Sequence, residues 1–287
     1  MALYRKIPFL TFVISPLRKL KINLAGCNFN CRGCFAIAKE EVGRGLSVEQ
    51  LINLIKKSCT FFYGYMVSDV QITGGEPTLD KDYLISLIKD LRKLNVERIG
   101  ISTNGYLLDK TLIMELKALN VDHVKLDIKA YTKQIHVGYT GKNNICVLRA
   151  VKLLCEYNLS FYIRTIFTPK VMGFEEIEKI AKFISEVDKD ITYKIYQFAP
   201  EQLGGGVWRS PSDEEMRKAY SLAKRHLENV EYYTTETAYK PSPYKCIEVR
   251  ADELLERFKK IDEISKSVIK DWGMEYFTIN QVLNPRS

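Results

Sequence analysis

Apolar residues recur along this chain in two rhythms. Short runs rich in Val, Ile, Leu and Tyr predict strands at Leu20–Ala25, Val67–Thr73, Arg98–Thr103, Asp122–Ile128, Ser160–Phe167 and Thr192–Phe198. Longer stretches with apolar positions three and four apart predict amphipathic helices at Ser47–Ser58, Lys81–Leu94, Lys110–Leu119, Asn144–Tyr157, Glu175–Val187 and Asp213–Leu227. In the second of these, Leu84, Leu87, Ile88 and Leu91 share one face. Six strand-then-helix units in succession predict an α/β fold with a parallel sheet and right-handed crossovers. Six of the eight units of a closed barrel make a partial (β/α)6 TIM-like barrel. An open doubly wound sheet carries the same alternation. Either arrangement puts chemistry at the C-terminal ends of the strands.

The rhythm changes after residue 229. Tyr239–Lys245 (YKPSPYK) reads as a turn, Arg250–Ile269 as a helix and Glu275–Ile279 as a closing strand. The expected organisation is a core barrel with an N-terminal lead-in over residues 1–229 and a C-terminal extension packed on it over 230–287. Of the 287 residues, 46% are hydrophobic and 27% charged, enough apolar material for a real core and too much for a disordered chain. No run of about eighteen apolar residues exists, so no membrane-spanning helix is expected. Ile7–Ile14 follows Arg5 and Lys6 in the manner of an export signal, but Pro16, Arg18, Lys19 and Lys21 stand where a small-residue cleavage site would be. The expected location is cytoplasmic. The formal net charge is +8, and residues 1–60 hold ten Lys and Arg against three Asp and Glu. That basic face fits a solvated surface, an anionic cofactor or nucleic acid, although no lysine-rich arm is present.

Seven cysteines occur, and Cys27, Cys31 and Cys34 crowd onto one loop as C-x3-C-x2-C directly after the first core strand. An odd count without an export signal points to thiols, not disulfides. Zinc ordinarily takes four ligands, and His123, His136 and His226 are all remote in sequence. A four-iron cluster is held by cysteine thiolates, and three of them leave one iron open. Cys146 and Cys155 fall on opposite sides of one helix, Cys59 and Cys246 are single, and all four read as small buried hydrophobes.

The motif Cys27-Asn-Phe-Asn-Cys31-Arg-Gly-Cys34 resembles the cluster loop of radical S-adenosylmethionine (SAM) enzymes, and Gly74-Gly75-Glu76-Pro77 after the second strand resembles their GGEP signature. Ser102-Thr103-Asn104-Gly105, Lys125-Leu126-Asp127-Ile128-Lys129, Ile163-Arg164 before Pro169, and Leu203-Gly204-x-x-x-Trp208 extend the likeness toward activating enzymes of glycyl-radical enzymes, over roughly residues 20–229. The resemblance implies a [4Fe-4S] cluster on Cys27, Cys31 and Cys34, with SAM chelating the open iron. Reductive cleavage then yields methionine and a 5′-deoxyadenosyl radical that abstracts hydrogen. It further implies SAM contacts from Gly74, Gly75, Glu76, Ser102, Thr103, Asn104, Lys125, Asp127 and Arg164. Gly74 and Gly75 let backbone approach the methionine end. Glu76 accepts hydrogen bonds from the ammonium or from nearby backbone. Arg164 needs an anion, either the SAM carboxylate or a barrel acid such as Asp127. The chain departs from the pattern at Gly33, where an aromatic is common and Phe35 is the substitute cover for adenine. It departs again at Ser102, where activating enzymes carry a cation-binding aspartate, and at Glu201, the nearest counterpart of a histidine. Lys125 sharing a strand face with Asp127 suggests an ammonium in place of that cation, paired with Asp127, unless Lys125 points to the barrel exterior and reaches water.

The expected partners are an external flavodoxin- or ferredoxin-type electron donor and a protein or peptide substrate. RNA or a small metabolite is the second reading, and a plain iron–sulfur electron carrier the third, since a carrier needs neither an open iron nor an adenosine pocket.

Overall fold

The computed structural model describes residues 3–15, 17–199, 208–235, 245–268 and 275–284. The chain begins with β1 (Tyr4–Ile7), β2 (Phe9–Ser15), β3 (Lys19–Leu24) and β4 (Arg44–Ser47). Alternation follows: α1 (Val48–Tyr63), β5 (Asp69–Gly74), α2 (Lys81–Lys93), β6 (Arg98–Thr103), α3 (Lys110–Ala118), β7 (His123–Asp127), α4 (Lys133–Thr140), α5 (Ile145–Glu156), β8 (Phe161–Phe167), α6 (Phe174–Val187), β9 (Tyr193–Gln197), α7 (Asp213–Lys224) and β10 (Val230–Tyr233). It closes with β11 (Lys245–Arg250), α8 (Leu255–Val268), β12 (Glu275–Thr278) and α9 (Ile279–Leu283).

Ten strands form one sheet in the order β10-β9-β8-β7-β6-β5-β3-β2-β11-β12. From β3 to β10 every neighbour is parallel, so the fold is the partial barrel that the alternation predicts. β10 starts at Val230 and adds a seventh parallel strand beside β9, so the parallel run continues past residue 229. The apolar Ile7–Ile14 run supplies β2, an inner strand antiparallel to β3 and to β11. β11 fills the gap between the expected turn and helix and takes in Lys245 and Arg250 at their edges, residues 239–244 of that turn lie outside the described residues, and α4 was not legible as a helix.

The two faces of the sheet differ in kind. Leu20, Ile22, Ile72, Ile101, Leu126 and Ile163 are inaccessible and pack toward the helices. Alternate residues, among them Lys21, Lys125, Asp127 and Arg164, point to the inner face, because strand side chains alternate. Helix ends are capped where the sequence supplies the means: Ser47 and Gln50 form a capping box on α1, which stops at left-handed Gly64 (φ 79°).

The C-terminal elements join this body on both faces. α9 lies by α1, where Lys57 Nζ donates to Leu283 O at 2.9 Å. α8 lies on the opposite, inner face. There Phe258 meets Phe9 edge-on at 5.5 Å, and Arg250 donates to Asp262 at 2.7 and 2.9 Å and to Glu248 at 2.8 Å. Arg257 pairs with Glu40 at 3.0 Å, tying α8 to the segment that follows the clustered cysteines. No helix among the described residues is long and apolar enough to cross a membrane.

Candidate active site

The cysteine loop leaves β3 at the C-terminal edge of the sheet and is fastened from three sides. Asn30 N donates to Thr140 O at 2.8 Å and Arg32 N to Tyr139 O at 3.1 Å, so the last carbonyls of α4 hold its middle. Phe29 is buried edge-on to Tyr106 at 5.6 Å and to His136 at 5.4 Å. Asn104 Nδ2 donates to Asn28 Oδ1 at 2.7 Å and approaches Cys27 Sγ at 3.8 Å. Gly33 has a local reason. A Cβ there would lie 2.7 Å from Trp208 Cζ3 and 2.8 Å from the Tyr139 hydroxyl, so aromatic rings from elsewhere in the fold fill the space that a side chain on the loop would take. Phe35 is 46% exposed.

The GGEP segment is a close-packed joint. Gly74 has φ +124°, and a Cβ on it would lie 2.2 Å from Leu24 O; one on Gly75 would lie 2.0 Å from Gly26 O. Glu76 is fully buried. Its Oε1 accepts from Thr78 N at 3.0 Å, Thr78 Oγ1 at 2.6 Å and Thr103 Oγ1 at 2.7 Å, and its Oε2 from Asn104 N at 2.7 Å. Burial raises its pKa above the usual carboxylate value, against the pull of Asn104, Thr78 and Thr103. The backbone alternative for Glu76 is therefore the one observed: it locks the GGEP turn to the end of β6. The Thr103 hydroxyl, expected beside SAM, is spent on Glu76 and on Gly105 N at 3.0 Å. Ser102 lies on the inner face and accepts from Gln71 Nε2 at 3.2 Å. Beneath the joint, buried Arg5 donates to Ala25 O at 2.9 Å, Glu76 O at 2.7 Å and Pro77 O at 2.9 Å, bracing the base of the cysteine loop against GGEP. Nothing in the sequence around Arg5 marks it for this.

At the ends of β7 and β8, Asp127 accepts from Arg164 Nε at 2.7 Å and from Lys129 Nζ at 3.0 Å. Burial opposes ionisation of Asp127, yet Arg164 and Lys129 hold its carboxyl below the usual carboxylate range. The expected pairing of Lys125 with Asp127 is corrected. Both residues do face inward, but along the extended strand they stand two positions, about 7 Å, apart, whereas Lys129, equally close in sequence but beyond the strand end, turns back to take the second carboxylate oxygen. Among the described residues Lys125 makes no hydrogen bond or ion pair.

The donor set fits the cluster implied by the motif. No three described Cys, His, Asp or Glu side chains converge as ligands of a single ion do. The thiols nonetheless feel one another: burial pushes Cys31 up to about 11, with Lys129 opposing and Cys34 and Cys27 adding to it. A four-iron cluster spans more room than one ion and draws such thiols into the thiolate form. Asn28 Nδ2, a buried donor with no partner among the described residues, lies on the same loop. Cys59 is buried, while Cys146 and Cys155 on α5 and Cys246 on β11 are partly buried and remote in the fold's order from this loop. Glu201, Leu203 and Gly204 lie outside the described residues.

A parallel partial barrel with a three-cysteine loop and a GGEP joint at its C-terminal edge defines a class of cluster-and-SAM enzymes. The radical SAM superfamily model matches residues 24–184, and the chain belongs to that superfamily. It is a radical SAM enzyme that uses a [4Fe-4S] cluster and S-adenosylmethionine. It is 32% identical over 221 residues to a Methanocaldococcus jannaschii protein described as a glycyl-radical enzyme activating enzyme, covering 76% of this chain and 81% of that one. It is 34% identical over 130 residues to a Thermoplasma volcanium protein described as a GTP 3′,8-cyclase, covering 45% and 38%. The crystal structure of Streptococcus suis SuiB bound to precursor peptide SuiA superposes with a TM-score of 0.60 at 16% identity, over 88% of this chain and 55% of that one.

Proposed function

We propose that this enzyme abstracts a hydrogen atom from a protein or peptide substrate, in the manner of a glycyl-radical activating enzyme. The observation that carries the reading is the convergence of the cysteine loop, the Glu76–Asn104 joint and the Asp127–Lys129–Arg164 cluster at one end of the inner face, supported by the likeness to the activating-enzyme relative over most of both chains. Bound together and reduced by an external flavodoxin- or ferredoxin-type donor, the cluster and SAM supply a 5′-deoxyadenosyl radical. The chain's own residues do the rest. Cys27, Cys31 and Cys34 hold the cluster. Arg164 spends only Nε on Asp127, which leaves its two terminal nitrogens for a carboxylate, and Lys129 adds a second cation beside them. Asn104, aligned by Glu76, presents its side chain next to Cys27. Tyr139, Phe198 and Trp208 shield the loop from water.

The test is anaerobic incubation of the reconstituted, SAM-loaded, reduced enzyme with soluble extract of its source, split by ultrafiltration. The reading expects an organic radical signal in the macromolecular fraction, absent with Cys31→Ala. If 5′-deoxyadenosine release is stimulated only by the low-molecular-weight filtrate, the substrate is a small molecule.

A further inference from the structure

The inner face of the sheet carries cations that its acids do not match. Asp69 is taken by Lys19 at 2.9 Å, Asp127 by Arg164 and Lys129, Glu231 by Lys194 at 2.9 Å, and Glu248 by Arg250 at 2.8 Å. Among the described residues Lys125 and Lys21 are left over, along with the exposed Arg98 at the start of β6. Lys125 lies on the row Ser102–Lys125–Tyr162, one row below Asp127, and Lys21 on the neighbouring row Lys21–Gln71–Gly100–His123. β3 is an inner strand, yet Lys21 is exposed, so this face is open to solvent at that point. Lys125 is half-buried among Lys19, Lys21 and Arg164, with Asp69 already engaged. A half-buried ammonium without a protein partner is a standing cost to the fold. The flanking groups are suited to a polar ligand: His123 shares a hydrogen bond with Gln71 at 3.2 Å and stacks on Tyr162, and Lys194 lies over the same ring at 4.7 Å.

We propose that Lys125, with Lys21 three strands away adding to the positive field of this face, receives an oxyanion of the substrate, a carboxylate or a phosphate, on the inner face one row beneath the Asp127 cluster. This rests on the reading that the inner face is the reaction chamber, and it deepens it. A carboxylate belongs to an acidic segment of a polypeptide substrate; a phosphate belongs to a phosphorylated small molecule. In either case one charge-assisted contact fixes which substrate hydrogen faces the cofactor end of the chamber.

Thermal unfolding of the reconstituted, SAM-loaded enzyme tests the site, in inorganic phosphate, malonate and chloride at equal ionic strength, since a ligand of the native state raises Tm by mass action. The proposal expects a saturable rise with at least one oxyanion beyond chloride. Lys125→Met should weaken its apparent Kd roughly tenfold or more, the loss of one charged hydrogen bond, and Lys125→Arg should keep it within a few-fold of the parent. Lys152→Met, an exposed change on α5, should leave it unchanged. A response to phosphate alone assigns the phosphorylated substrate, and a response to malonate alone the acidic polypeptide. No saturable rise with either, or an equal rise in Lys125→Met, overturns the proposal. Release of 5′-deoxyadenosine by the same preparation separates the two levels. If it persists without an anion response, the anion site alone is wrong; if it is absent, the reading of the chemistry is wrong.

Discussion

Gly75 shows how little freedom the site leaves at a single residue. Both atoms nearest to its missing Cβ are backbone oxygens, Gly26 O at 2.0 Å and Ala38 O at 2.4 Å, so no rotamer change relieves an added methyl. Gly75→Ala should cost about 3 kcal/mol or more in denaturant unfolding. Gly138→Ala, inside α4 with open space around it, should instead gain about 1 kcal/mol. At the cysteines, Ala at Cys27, Cys31 or Cys34 should abolish or sharply lower bound iron, while Ala at Cys146 or Cys155 should leave it unchanged. Asn28→Ala should keep the iron but lower the cluster's midpoint potential, because the amide's unspent N–H lies on the cluster loop and hydrogen bonds to cluster sulfur favour the reduced form. A potential equal to the parent's in redox titration would show that the amide serves something else. The three cysteines stood out in the sequence because their close spacing is itself a pattern. Arg5 did not: its work is done on backbone carbonyls, that of Ala25 and those of Glu76 and Pro77 some fifty positions later, and no spacing rule records that.

Among the elements, β7 displays what strand alternation can and cannot tell. It correctly put Lys125 and Asp127 on one face, but it could not show that Lys129, past the strand end, reaches back. Asp127→Asn should cost about 2–3 kcal/mol, since it strands two partly buried cations. Because the folded pKa of Asp127 is depressed, its contribution is present above the ordinary carboxylate range and lost as pH falls through the folded value. The variant should therefore show a shallower loss of stability in acid. Lys125 has the opposite sign. Burial, then Lys19, Arg164 and Lys21, lower it to about 7, with Asp69 opposing, and His123 and Tyr162 adjoin it. Its cost to the fold is complete below about pH 7 and disappears as pH rises through the ordinary lysine value. Lys125→Met should thus raise Tm at pH 7 and converge on the parent near pH 10.5; equal Tm values at pH 7 would show that water reaches the ammonium freely. α4 escaped detection because it has eight residues and two of them are glycine or threonine, too short for the three-and-four rhythm to stand out.

For the molecule as a whole, the six-unit alternation was readable because each unit buries one strand face against its own helix. In the final quarter the helix of α8 and the closing strand β12 were readable, but β11 was not, because it finds its partner β2 across the sheet through contacts between residues more than two hundred positions apart. Arg250 anchors this region through Glu248 and Asp262, so Arg250→Met should speed hydrogen exchange in α8 while leaving β5 to β8 protected. A cluster on three cysteines at one end of the sheet, with SAM beside it, should reveal itself in 5′-deoxyadenosine formation after anaerobic reconstitution with iron, sulfide, SAM and dithionite. The parent should cleave SAM and Cys31→Ala should not, while Arg164→Ala should bind SAM roughly thirty- to a hundredfold more weakly with iron content intact. A parent protein that binds a [4Fe-4S] cluster through a fourth cysteine and leaves SAM intact would contradict a three-cysteine cluster with SAM beside it.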